Sequence, residues 1–91
     1  MKIIRSTSGF RKSLRKAIGS GRHTRQEIFF VVNLLERGDT SPERIGDHAL
    51  GGDYTGHREC RIKPDLLLVY KIENDNLVLV LVDIGSHSDL F

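Results

Sequence analysis

The sequence predicts an α+β domain: an N-terminal strand, a two-helix hairpin, then a three-stranded antiparallel meander, with the helices on one sheet face. Three observations lead there. Apolar residues recur at helical spacing between residues 9 and 37. Alternating or continuous apolar runs replace them between residues 57 and 83, the change of period that marks strands. A glycine-punctuated stretch separates the two regimes. A chain of 91 residues has room for one core, so residues 1–91 read as a single domain.

Each element has a local reason. Ile3 and Ile4 suggest a short edge strand at the start. Ser6, Thr7 and Ser8 are candidate caps for a helix over about residues 9–18, whose apolar face is Phe10, Leu14, Ala17 and Ile18. Gly19 and Gly21 bound it. Thr24-Arg25-Gln26-Glu27 is a capping box opening a second helix, with Ile28, Val31, Val32 and Leu35 on one face and Gly38 at its end. The five-residue connection suggests an antiparallel hairpin of helices. Pro42 after Ser41 suits the first position of a helical turn, and residues 44–56 read as loop.

Three strands follow. Residues 57–62 alternate, placing His57, Glu59 and Arg61 on one face and Arg58, Cys60 and Ile62 on the other. Lys63-Pro64-Asp65 is a turn, and the run from Leu66 to Ile72 reads as a central strand. Glu73-Asn74-Asp75-Asn76 is a hairpin loop before a last strand from Leu77 to Asp83, and the tail leaves the sheet at Gly85. The sheet face away from the helices is expected to be open, with the glycine-rich loop beside it.

Composition excludes several classes. The longest strongly apolar run, Leu77 to Val82, is far short of the roughly 20 residues a membrane span needs. No apolar stretch follows the first basic residues, so no secretory signal is expected. Cys60 is the only cysteine, which excludes an internal disulfide framework and leaves a reducing cytoplasm as the expected compartment. The charge is polarised. Residues 1–37 carry nine Lys/Arg against two Glu, a net of +7, and residues 38–91 carry five against ten, a net of −5. Such a field suits a nucleic acid, and equally an acidic protein partner.

His23, His48, His57 and His87 show no metal-ligand spacing, and Gly51-Gly52 lacks the rest of a phosphate loop, so no metal and no cofactor is expected. His48, Arg58, Arg61, Asp65 and His87 cluster around the loop and strand ends. They suit phosphodiester cleavage without a metal. A base takes the proton of a ribose 2′-hydroxyl, guanidinium charge stabilises the crowded phosphate, and an acid protonates the leaving 5′-oxygen. Histidine fits both proton transfers because its ordinary pKa is about 6.5. Plainer readings exist: Asp65 as a turn residue, and Arg58 with Glu59 as a charge pair.

Several motifs stand in order along the second half: Asp47-His48-x-Leu50-x-Gly52, Gly56-x-Arg58-Glu59, Ile62-x-Pro64-Asp65, the Leu-Leu-Val-Tyr strand, and Gly85-Ser86-His87-Ser88-x-Leu90-Phe91. Together they resemble the YafQ-like branch of the RelE bacterial toxin superfamily. The resemblance implies two N-terminal helices on an antiparallel sheet. It implies an endoribonuclease that inhibits translation by cutting messenger RNA on the ribosome, without a metal. It also implies a cognate antitoxin that blocks the site in a hetero-oligomeric complex. His48, Asp65 and His87 match the family's acid–base positions, with His87 as acid and Asp65 or His48 as base. Arg58 and Arg61 are the expected phosphate contacts. Phe91 matches a terminal aromatic that orients RNA, for which base stacking is the rationale.

The sequence departs from that pattern at three positions. Arg61 stands where the family often has histidine, Leu66 where it often has tryptophan, and Asp83 where it usually has a phosphate-binding arginine. At about 5 Å and an effective dielectric of about 20, each unit of charge beside a phosphate is worth roughly 3 kcal/mol. Asp83 therefore motivates an alternative: a catalytically impaired module that mainly binds an antitoxin or RNA.

Overall fold

The computed structural model describes residues 2–39 and 45–91. The helical turn expected at Ser41–Pro42 lies outside the described residues. Strand β1 (Ile3–Ser6) leads into α1 (Ser8–Gly19) and α2 (Arg25–Glu36). A two-residue strand β2 (His48–Ala49) and a 3-10 turn (Gly52–Tyr54) precede β3 (Arg58–Lys63), β4 (Leu66–Glu73), β5 (Val78–Gly85) and a short helix α3 (His87–Leu90).

The helix starts form as the local chemistry dictates. Thr7 caps α1 by accepting from the Phe10 amide, and its hydroxyl donates to the Val82 carbonyl at 2.7 Å, fastening the helix to β5. At Thr24 both arms of the capping box are present, and the Thr24 backbone amide holds the Glu27 carboxyl below its usual range. Gly38, at φ +78°, ends α2 by letting the Asp39 amide reach the Leu34 carbonyl. Asn74, Asp75 and Asn76 all take positive φ, which explains why the β4–β5 connection is built from Asn and Asp.

The sheet order is β1-β5-β4-β3-β2. The meander β3-β4-β5 is antiparallel as predicted. The sheet as a whole is mixed, because β1 is an edge strand pairing parallel to β5, with Ile3 opposite Val78. β2 adds a rung pair where only loop was expected, His48 opposite Glu59 and Ala49 opposite Arg58.

The main core lies between helices and sheet. Phe10, Leu14, Ile28, Val32 and Leu35 meet Cys60, Leu66, Leu68, Tyr70, Leu79 and Leu81 there. The far face is only partly open. Leu67 and Val69 are covered by Leu90, with Leu50, Tyr54 and Val82 packed beside them. The sequence predicts no element after Gly85, where the structure has a helix that folds back over the sheet. Ser86 explains the difference: it forms a capping box with Asp89, and its own backbone amide holds the Asp89 carboxyl below the usual range. Gly85 permits the tight return, since a Cβ there would sit 3.1 Å from the Asp89 Cβ.

Candidate active site

Register lays a row of side chains across the far face. His48, Glu59, Val69 and Asp83 are successive cross-strand partners on β2, β3, β4 and β5. Three strand spacings put the ends of that row about 14 Å apart at the backbone. Glu59 is 8% exposed, a carboxylate enclosed within the sheet. Its Oε1 stands 3.6 Å from Nε2 of His48, while Nδ1 of His48 lies 3.1 Å from the Gly46 carbonyl. If Nδ1 donates to that carbonyl, Nε2 carries the free lone pair. Nε2 is then the ring nitrogen open to a proton, with the Glu59 carboxylate beside it.

His87 approaches from the other side. It opens α3, is exposed, and tilts against Phe91 with ring centroids 5.3 Å apart. Phe91 meets Tyr54 edge-on at 5.5 Å, and Tyr54 meets His57 edge-on at 5.7 Å. The aromatic chain thus runs from the end of α3 back to the loop before β3. Phe91 is 51% exposed and presents a ring on which a base can stack.

Not every expected site residue joins this face. Asp65 turns to Arg22, with Oδ2 2.7 Å from Nη2, and lines a separate cleft at the end of the sheet. Among the described residues, no hydrogen bond or ion pair joins any two of His48, Asp65 and His87. Arg58 lies on the helix face. Its Nη2 is 2.8 Å from Asp47, whose side chain is 6% exposed, and the Tyr70 hydroxyl donates to the same carboxylate. That bond to Asp47 raises the Arg58 pKa, and burial raises that of Tyr70. Arg61 is exposed opposite Leu67, so register puts it on the far face, the one expected guanidinium with that placement. Glu59 and Tyr54 are additions that the sequence did not single out as functional. The alternation of His57, Glu59 and Arg61 was the available signal for Glu59.

A family model described as "Bacterial toxin of type II toxin-antitoxin system, YafQ" matches residues 2–91. The chain belongs to the YafQ family of toxins, within the RelE superfamily. Over 53 residues it is 40% identical to a Haemophilus influenzae protein named "Putative toxin YafQ", covering 54% of this chain and 52% of that one. The chain thus spans about half the length of that curated relative. A metal-bound toxin from Helicobacter pylori is 37% identical over the full length of both chains, with a TM-score of 0.86. YafQ in the E. coli DinJ-YafQ complex is 24% identical, covers 100% of this chain and 99% of its own, and has a TM-score of 0.83. At that identity the likeness supports the fold alone. The metal belongs to the Helicobacter toxin. Among the described residues of this YafQ-family chain, no three His, Cys, Asp or Glu side chains gather to hold an ion, and the donors at His48 and Glu59 do not make a metal centre. No helix among them is long and apolar enough to cross a membrane.

Proposed function

We propose that the chain is an endoribonuclease toxin that cuts messenger RNA on the ribosome by side-chain acid–base chemistry, without a metal. The observation that carries this reading is the pairing of His48 with an enclosed carboxylate on the same sheet face that His87 overhangs. His48 Nε2 accepts the proton of a ribose 2′-hydroxyl. The freed oxygen attacks the adjacent phosphorus and forms a cyclic phosphate, and the bond to the 5′-oxygen breaks. His87 gives that oxygen a proton. Arg61 meets the phosphate from the exposed edge of the face, and Phe91 stacks on a base. Arg58 stays with Asp47 as structural support. Asp65, tied to Arg22, holds the strand rather than taking the proton.

The proposal includes a cognate antitoxin that covers this face, as the E. coli relative's complex with DinJ suggests, and action in the cytoplasm. Expression without the antitoxin is expected to arrest growth and to create new transcript ends. His87→Ala is expected to abolish both while leaving the melting temperature unchanged, because the residue is exposed. Normal growth with intact transcripts would refute the reading.

Asp83 favours a second reading, a module that binds without cutting. It shares the row with His48 and Glu59, so its carboxylate repels a phosphate on that face. If the native chain cleaves nothing and Asp83→Arg cleaves, the second reading holds.

A further inference from the structure

His48 stands on the edge strand β2, which has only two residues and two rungs to β3. So short a ladder orients a side chain poorly, and the residue before it has a firmer hold. Neighbouring positions of an extended chain face opposite ways. The His48 side chain projects on the far face and is 58% exposed, whereas that of Asp47 turns to the helix side and is 6% exposed. Ile45, two residues before Asp47, is buried in the main core.

On the helix side the Asp47 carboxylate accepts from the Arg58 guanidinium at 2.8 to 3.2 Å and from the Tyr70 hydroxyl. Arg58 and Tyr70 face each other in register across β3 and β4, so both holds come from within the meander. On the far side the His48 ring lies between Gly46 and Glu59, with Nδ1 3.1 Å from the Gly46 carbonyl and Nε2 3.6 Å from the Glu59 carboxylate. Gly46 sits at φ +58°, a conformation glycine takes without strain. Asp47 is thus the middle residue of the turn whose two ends are the carbonyl and the ring. A base has to lie within about 2.6–3.2 Å of the proton it takes, and a displacement of about 1 Å can cost a hundredfold in rate. More than half exposed, the ring gets little of that precision from its own packing.

We propose that Asp47, gripped by Arg58 and Tyr70, is the positioning residue for His48. It fixes where the ring sits on the far face and, through the Gly46 carbonyl, which ring nitrogen holds the proton. The inference rests on the RNA-cleaving reading above and adds that its base is set from the opposite side of the sheet. Arg58 and Tyr70 act on the reaction without touching RNA.

The test compares Asp47→Ala, Asp47→Asn and Tyr70→Phe with the native chain, at a temperature where unfolding curves show each variant folded. Two readouts are taken: kcat and KM for messenger RNA on ribosomes, and the nitrogen NMR signature of the His48 ring in the free chain, in alkaline buffer. Asp47→Ala is expected to lower kcat at least about tenfold with KM within about twofold, and to replace an Nδ1-protonated His48 by a mixture of tautomers. Asp47→Asn keeps an oxygen on which Arg58 and Tyr70 can close, so it should keep kcat within about threefold and the native ring signature. Tyr70→Phe keeps both charges and the ring in the core, and should lower kcat about threefold with a partial change of signature. If Asp47→Ala leaves kcat and the His48 signature unchanged, the proposal is overturned. Asp47→Asn as slow as Asp47→Ala also overturns it, because the charge of residue 47 and not its grip would then matter. If Asp47→Ala does not fold, Tyr70→Phe decides, and an unchanged kcat and signature there overturn the proposal. A chain that cuts no RNA but whose His48 signature changes in Asp47→Ala fails only the cleavage reading. A chain that cuts RNA and keeps rate and signature in Asp47→Ala fails only the positioning.

Discussion

Replacing Arg58 with alanine separates a structural role from a substrate-binding one. The Asp47 carboxylate is 6% exposed and faces Arg58 through three N–O contacts of 2.8 to 3.2 Å. Removing the guanidinium leaves that carboxylate enclosed with, among the described residues, only the Tyr70 hydroxyl to satisfy it. Breaking a buried pair costs about 3–5 kcal/mol. The Arg58 side chain is 40% exposed, so solvent screening lowers the figure here to about 2 kcal/mol. With an m-value near 1 kcal/mol/M the urea midpoint should fall by about 2 M, and the melting temperature by about 10 °C. Asp47→Asn and the double variant complete a cycle, in which the second substitution should add much less than the first. Urea and thermal unfolding read all three chains. If Arg58→Ala keeps wild-type stability and loses only RNA cleavage, Arg58 is a substrate contact and the pairing argument is wrong.

Three further outcomes follow from the same structure. Glu59→Gln keeps the rung with His48 but removes the negative charge beside its ring, so the RNA cleavage rate should fall about tenfold with KM little changed. Burial pushes the Cys60 thiol up to about 12 from 9.0. The folded chain then keeps a proton that the unfolded chain releases, so stability is full below about pH 9 and falls as pH rises toward 12. Unfolding midpoints across that range should show the decline, reduced in Cys60→Ala, and a thiol reagent at pH 8 should modify Cys60 only on unfolding. Thr24→Ala removes the hydroxyl arm of the α2 cap, leaves the Glu27 carboxylate on the backbone amide of residue 24, and should lower stability by about 1 kcal/mol in urea titration, with no effect on cleavage.

What the sequence made legible was local. The Thr24 capping box, the stop at Gly38, the Asn-rich hairpin loop and the strands from residues 58 to 85 all depend on neighbours within a few positions. The partner of β1 does not: Thr7 reaches Val82 across 75 positions, and no periodicity encodes a parallel pairing at that range. The α3 helix has four residues, too few for a repeat to show, and only the Ser86–Asp89 spacing announces it. At the site, His48 and His87 were legible as titratable groups beside turns. Glu59 was not, because a carboxylate on an alternating strand reads as surface charge until register puts His48 opposite it. Arg58 reads as a phosphate ligand for a similar reason. Its partner Asp47 lies across a loop whose path the sequence does not give.

The parallel seating of β1 on β5 bears on how the molecule comes into being. In the five-strand order β1 touches only β5, so during synthesis the first strand has no bed until residue 78 and beyond have emerged. Closing so distant a ladder is slow compared with forming hairpins between neighbours. His87 and Phe91 come after β5 in the chain. A nascent polypeptide halted within β5 therefore carries His48 and Glu59 but neither His87 nor Phe91, so the two sides of the far face come together only once the chain has passed β5.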